Sequence, residues 1–564
     1  MLTGRSALPR WRHTVPYVGM AALLLLMGGS VYIPFLENPL IFDDFNLFHT
    51  SELTRAATTP WDYGPRGIPY FTLGWVQTQI GTMAAHRTVS LALHVLVAYQ
   101  LFRFLESVLS DEISPAADGA GVVATRARCA AALVSIAFLC HPAATYASGY
   151  LVQRTAVFAT LFALLCLRSL LAAFRKGDLG LAAQAGFWAS LSVMSKEHYV
   201  LVPIASLALA LLRPPHWRSA KVGAVFIVVS IPAMAIALYK GLYAVGRAYE
   251  PALHDLASEL FSLPELSGHY ERWLLSASTQ AQLYFEYWRV WLMPSTRRMS
   301  IDLRVDFLRP WEHWSAWAWL CAWTLLPLLA TLASLRWRGL RLIAFALSFN
   351  AVLFVVELST VRFQEPHVLY RSYIWAIGYG TLVAALLARL PLRLGLVAFA
   401  IAIPLLVFQS VNRLRSLQAP LALWEDAAAK LPKMEIAGGT RILFNRGRAR
   451  YVQGDLDGAT SDINLAIQLS PTNGQYRIAR AETALRSGRP HEAIADLDAA
   501  GQWMVNDERL LFSRYRVLTV LGRVQEAEAS LAEAARLGSF SAKLVLARRR
   551  SLDGNATVEM NANR

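Results

Sequence analysis

The chain is 564 residues long, 55% hydrophobic and only 16% charged, with a mean hydropathy of +0.36, whereas soluble domains carry about a quarter charged residues. Its formal charge of +15 raises nucleic-acid binding, but the basic residues lie along the ends of apolar runs and form no clustered face, so the charge reads as membrane topology. No Walker loop, dinucleotide fingerprint or nucleophile elbow occurs, which leaves ATP-driven transport and nucleotide-sugar chemistry on a soluble domain without support.

From the N-terminus, Val15 to Phe35 is an apolar run long enough to cross a hydrocarbon core of about 30 Å as a helix. It is followed by Glu37-Asn38-Pro39 without a small-residue cleavage pattern, so it is expected to stay as a helix. Ten further spans are expected near 86–107, 127–141, 151–172, 179–195, 198–213, 221–241, 313–335, 341–359, 371–389 and 393–411, about eleven in all. With a cytoplasmic N-terminus the inner connections carry Arg5, Arg10 and Arg12, then Arg126 and Arg128, Arg175 and Lys176, Arg213, Arg218 and Lys221, Arg336, Arg338 and Arg341, and Arg389 and Arg393. Each is basic, and the outward segments 142–150 and 360–370 are poor in basic residues, as the positive-inside rule requires. The four cysteines, Cys129, Cys140, Cys166 and Cys321, lie in or beside apolar segments without metal or redox spacing and read as packing residues.

Two outward segments, 36–85 and 242–311, are long and aromatic, which points to function. The first carries the adjacent carboxylates Asp43 and Asp44 just beyond span one, where they serve either as a catalytic pair or as helix-capping and surface groups. In the second, Thr279 to Pro294 is amphipathic but interrupted by Glu286 and Arg289, which fits an interfacial or re-entrant helix better than a span.

Beyond Ser410 the composition becomes that of a soluble protein, and the chain divides into a membrane domain, 1–411, and a repeat domain, 412–564. Gly454, Gly488 and Gly522 lie 34 residues apart, as do Ala459, Ala493 and Ala527, and Ala466, Ala500 and Ala534. That is the tetratricopeptide period, in which small residues let paired helices approach and Gly closes the turn between them. Ile463, Leu497 and Leu531 repeat as packing positions, and Gly447, Tyr451 and Pro471 are also in phase. Such a stack, outside the membrane on the side of the acidic pair, offers a concave surface for an extended protein partner, or else only caps or dimerises the membrane domain.

In order, these pieces resemble the GT-C glycosyltransferases, and among them the transmembrane O-mannosyltransferases that carry tetratricopeptide repeats and their bacterial relatives. The matching pieces are Phe42-Asp43-Asp44; His86-Arg87-Thr88-Val89-Ser90 with His94; His141-Pro142 followed by Gln153-Arg154; Ser195-Lys196-Glu197; and Thr279-Gln280 through Tyr287 and Pro294 to Ser300-Ile301-Asp302. A sixth, Glu365-Pro366-His367-Val368-Leu369-Tyr370-Arg371, is altered, and Thr88 stands where the pattern usually has proline. The resemblance implies an all-helical membrane domain and an inverting transfer of sugar from a polyprenyl-phosphate carrier at the outer membrane surface. It implies Asp43 as the base and Asp44 as a supporting polar or metal-facing group.

The leaving lipid phosphate calls for fixed positive charge near the surface, and Arg87, Arg154, Lys196 and Arg371 are the candidates, each with the alternative of anchoring at the boundary. Glu197 is an orienting partner for Lys196, with Asp302 and Glu365 in support. A divalent metal with Asp44 would draw on His94, His141, His198 or His367, but their spacing matches no ligand motif, and hydrogen bonding between helices is the other reading. The repeats favour an exported protein acceptor with Ser or Thr nucleophiles, in a bacterial inner membrane with the site on the periplasmic side. A lipid-linked or surface glycan is the alternative acceptor, and a non-catalytic envelope scaffold the rival from another class.

Overall fold

The computed structural model describes residues 11–48, 51–112, 120–212, 217–247 and 268–549. Arg5, Arg10 and Arg213, and residues 248–267 of the second long loop, lie outside them. The protein is all-helical: 80% of it is helix and the described residues contain no strand. Two compact units divide between Leu423 and Trp424.

In the first unit the main helices are α1 (Trp11–Tyr32), α2 (Met83–Glu112), α3 (Ala120–Leu139), α4 (Arg154–Lys176), α5 (Leu179–Ser195), α6 (Trp217–Gly241), α7 (His269–Leu292), α8 (Trp314–Arg336), α9 (Arg341–Ser359), α10 (Ala376–Leu387) and α11 (Leu392–Ser416). Seven helical segments among the described residues are long and apolar enough to cross a membrane: Val15–Phe35, Met83–Glu112, Leu151–Lys176, Ser219–Ala244, Trp314–Arg336, Arg338–Ser359 and Leu392–Ser416. Their surfaces say what surrounds them. Only 6% of the apolar window of α8 is buried inside the protein, and 28% of that of α11. Helices that are apolar all round yet uncovered by protein fit an integral membrane protein, because water would penalise that surface.

The other expected spans are also helical: the 20-residue α3, the 17-residue α5, and the short apolar helices Glu197–Leu212 and Ala376–Leu387. Expected segment 198–213 is one such case, being a 3₁₀ turn, a five-residue α-helix and a second 3₁₀ stretch. Helix α7 is amphipathic and carries Glu286 and Arg289 as a local ion pair. Of the cysteines, Cys140 and Cys166 are buried, but Cys321 is exposed on α8 and does not pack.

Local chemistry sets the connections. Helix α4 ends on Arg175, Lys176 and a left-handed Gly177 (φ +67°), and Asp178 caps α5 by accepting from the Gly180 and Leu181 N–H groups at 2.8 and 3.1 Å. Basic residues in the last turn, a left-handed glycine and an acidic N-cap make a tight helical hairpin. The first long loop folds into short helices, Glu52–Thr58 and Gly67–Gln79. They pack so closely that a Cβ on Gly74 would stand 2.2 Å from the Leu53 carbonyl oxygen.

In the second unit three consecutive helix–turn–helix units follow: α12 (Gly439–Gln453) with α13 (Leu456–Leu469), α14 (Gly474–Arg486) with α15 (Pro490–Gly501), and α16 (Glu508–Val520) with α17 (Val524–Arg536). Gly454, Gly488 and Gly522 each sit at the inner turn with φ of +89°, +75° and +71°. Their 34-residue recurrence is therefore the recurrence of a left-handed helix stop. The alanines at 459, 493 and 527 and at 466, 500 and 534, and Ile463, Leu497 and Leu531, are all buried. The same register also repeats an ion pair. Arg446 meets Asp462 and Arg480 meets Asp496; in the third copy Ser530 replaces the acid, and Arg514 turns to Asp498.

Candidate functional site

After α1 and a 3₁₀ turn, Pro39 and the left-handed Phe42 (φ +50°) turn the chain sharply, so that Asp43 and Asp44 leave it in opposite senses. Asp44 is fully buried and Asp43 is exposed. The Asp44 carboxylate accepts from the Val152 N–H at 2.9 Å and from those of Leu151 and Ile41 at 3.4 Å each. Leu151 and Val152 open the helical run into α4, so Asp44 caps that membrane helix and uses its orphan N–H groups. Burial pushes the Asp44 carboxyl up to about 7, against the pull of the Val152 N–H and of the Arg87 charge.

Arg87 holds the same loop from the other side. Its guanidinium donates to the carbonyls of Asn38 (2.9 Å), Pro39 (2.6 Å) and Gly149, tying the acidic turn to the connection before α4. Arg154 is fully buried and donates to Ser90 Oγ and Thr72 Oγ1, both at 3.2 Å, and to the His86 carbonyl at 2.7 Å. Both arginines direct hydrogen bonds to groups inside the fold.

Tyr150, which the sequence reading did not single out, lies between the acidic pair and the cations. Its hydroxyl accepts from the Asp43 N–H at 3.0 Å and also bonds the Asp43 side chain, and its ring packs edge-on against Phe42 (6.2 Å) and Tyr370 (5.8 Å). Burial, followed by the Asp43 and Asp44 charges, holds the phenol well above its ordinary value, so it stays a neutral hydrogen-bonding group. Across Tyr370 sits Lys196, its ammonium 5.1 Å from that ring and donating to Gln153 Oε1 at 2.6 Å. Burial, and then the Arg66 charge, brings Lys196 down to about 7.

The cationic side is a network. Arg371 reaches Glu357 at 3.2 Å and Glu365 at 3.4 Å, Arg362 meets Glu357 at 3.1 Å, and Arg66 Nε donates to Glu197 at 2.9 Å. Glu365 also accepts from the Tyr370 hydroxyl at 3.2 Å. Asp43, Lys196, Glu365 and Arg371 thus belong to one connected cluster through Tyr150 and Tyr370, and Glu197, paired with Arg66, follows Lys196 in the chain. Glu357 had a signal in the sequence, as a carboxylate inside an apolar run is functional by default. Arg66 had none: it depends on a left-handed backbone (φ +93°) that brings the first loop to the end of α5, where its N–H donates to the Met194 carbonyl.

Of the remaining candidates, His198 borders this network at Glu197 and the others lie elsewhere. His94 is buried between helices, bonded to the Tyr373 hydroxyl (2.6 Å), the Leu139 carbonyl (3.1 Å) and the Tyr32 hydroxyl (3.4 Å). His141 stacks on Trp291 at 4.4 Å and accepts from the Ala143 N–H. His198 lies 3.5 Å from Glu197, and His367 packs edge-on against Tyr287 at 4.7 Å. Asp302 pairs with Arg304 at 2.7 Å. Among the described residues no three His, Cys, Asp or Glu side chains are grouped to hold a metal ion. Asp44 already accepts three N–H bonds, so the residues described do not fit the divalent site with Asp44.

No family model matches the chain, and no curated protein matches it.

Proposed function

We propose that this protein is a membrane-embedded, inverting glycosyltransferase of GT-C type that transfers a sugar from a polyprenyl-phosphate carrier to a Ser or Thr hydroxyl of an exported protein. One observation carries the reading. An exposed carboxylate, Asp43, is fixed by the buried cap of Asp44 and by the Tyr150 hydroxyl, next to a cluster holding Lys196 and Arg371.

In the reaction, Asp43 accepts the proton of the acceptor hydroxyl as its oxygen bonds the anomeric carbon. The bond from that carbon to the carrier phosphate breaks on the opposite face, and polyprenyl phosphate leaves with the electron pair. A base so placed contributes about 10²- to 10⁴-fold. Lys196 and Arg371 supply charge for the leaving phosphate, and Glu197, Glu357 and Glu365 hold the neighbouring cations in place. Arg87 and Arg154 then act as positioning residues: Arg87 clamps the acidic turn, and Arg154 ties the start of α4, which Asp44 caps, to α2 and to the first loop.

Counting α3, α5, Glu197–Leu212 and Ala376–Leu387 as spans gives eleven, an odd number that carries the C-terminus across the membrane from the N-terminus. In a bacterial inner membrane, that puts the C-terminus in the periplasm. The three helical pairs with left-handed glycine stops support a tetratricopeptide solenoid, whose concave face suits an extended protein acceptor.

The test is a deletion strain complemented with wild type or Asp43→Asn, read by mass spectrometry of envelope proteins. The expected result is a hexose or pentose mass that wild type restores and the variant does not, at equal membrane insertion. Restoration by Asp43→Asn overturns the catalytic reading. A deletion that alters no glycan favours the scaffold, and a mass lost only from lipid-linked glycan reassigns the acceptor.

A further inference from the structure

The helices that carry the acidic site enclose a second polar feature at their other ends. Along α2, Arg87 clamps the acidic turn while Arg103 lies sixteen residues further on, about 24 Å at 1.5 Å per residue. That is close to the thickness of a hydrocarbon core, about 30 Å. There a cavity of about 860 Å³ opens between the start of α1, the ends of α2 and α4, and the starts of α3 and α5.

Four arginines, Arg103, Arg128, Arg168 and Arg175, line it with two carboxylates, Glu106 and Asp111. Both acids are already engaged: Glu106 with Arg128 at 2.7 Å and Asp111 with Arg175 at 2.7 Å. Arg103 and Arg168 have no carboxylate partner among the described residues. Arg103 lies over the Tyr17 ring at 4.3 Å and donates to the Tyr99 hydroxyl at 3.4 Å, and Arg168 donates to Gln100. Two guanidiniums therefore face one polar cavity in a membrane domain with their charge uncompensated.

We infer that this cavity is a binding site for a phosphate-ester anion, held by Arg103 and Arg168, at the membrane face opposite Asp43. Guanidinium forks match phosphate oxygens two at a time, and the pairs Arg128–Glu106 and Arg175–Asp111 fix the walls. Basic pockets between membrane helices at this depth suit the headgroup of an anionic lipid. The inference does not depend on the proposed transfer reaction.

The test uses the full-length protein purified in detergent, with native mass spectrometry and thermal unfolding as readouts. Phosphatidylglycerol or cardiolipin is expected to remain bound where phosphatidylcholine does not. Arg103→Gln and Arg168→Gln are each expected to weaken binding about tenfold or more. Arg168→Lys, which keeps the charge without the fork and so is the safer variant for folding, should weaken it less. Pyrophosphate alone is the second arm: stabilisation by it that is lost in Arg168→Gln also supports the anion site but assigns it to a soluble phosphate ester. Binding of neither probe, or binding unchanged in Arg103→Gln and in both Arg168 variants, overturns the inference.

Discussion

Asp44 accepts three backbone N–H bonds and feels the Arg87 charge, yet burial outweighs them and its carboxyl is pushed up to about 7. A carboxyl raised in the folded state costs stability as pH climbs from its ordinary value of 3.8 to about 7, and costs the full amount above that. Asp44→Asn keeps an acceptor oxygen and never ionises, so it is expected to melt no lower than wild type at pH 8, with any advantage shrinking toward pH 4. Thermal unfolding at the two pH values checks this. Below about pH 7 the protonated Asp44 gives up part of its N–H cap, so the proposed transfer by wild type is expected to fall there, and Asp44→Asn to flatten that limb of the pH–rate profile. Tyr150→Phe removes the hydroxyl that accepts the Asp43 N–H and is expected to cut transfer about tenfold, with the donor KM little changed. The sequence exposed the acidic pair, and the family resemblance implied Asp43 as the base, but the burial of Asp44 as a cap on α4 was not legible in it. Neighbouring residues with the same side chain differ here because, after the left-handed turn at Phe42, Asp44 meets the N–H groups of Ile41, Leu151 and Val152 while Asp43 stays at the surface.

Among the helices, the repeat units are where periodicity translates most directly into structure. Gly488 has φ +75° and open space where a Cβ would stand, so Gly488→Ala meets backbone strain without a clash. It is expected to cost about 1 kcal/mol, measured by denaturant unfolding of the full chain. Asp496→Ala strips Arg480 of the bidentate partner repeated in the first copy as Arg446 and Asp462, and is expected to cost about 1–3 kcal/mol by the same measurement. Glycines and alanines at 34-residue spacing were legible because each fills one local role, a left-handed stop or a close helix contact. The arginine–aspartate pairs keep the same spacing but break in the third copy, and only the packed helices reveal them as pairs. In the membrane unit, hydropathy found the long helices, whereas the breaks within segment 198–213, between a 3₁₀ turn, a five-residue α-helix and a second 3₁₀ stretch, leave no mark in its apolar composition.

Across the whole molecule, the odd-span reading is checked by a reporter fused after Arg564, expected to be active only outside the cytoplasm; cytoplasmic activity would set an even number of crossings. Composition, hydropathy and the 34-residue period, each summed over many residues, by themselves determined an all-helical chain with membrane-length helices and a helical repeat. Such signals survive the loss of any one position. What only the tertiary structure decided was which charged groups meet: Asp43 with Tyr150, Lys196 with Gln153 and Tyr370, Arg371 with Glu357, and Arg87 turned onto loop carbonyls. Those encounters join segments that in the chain lie as far apart as Lys196 and Tyr370, or Asp43 and Tyr150. In a low-dielectric interior each charge must find a partner, and the fold alone supplies the distances that select it.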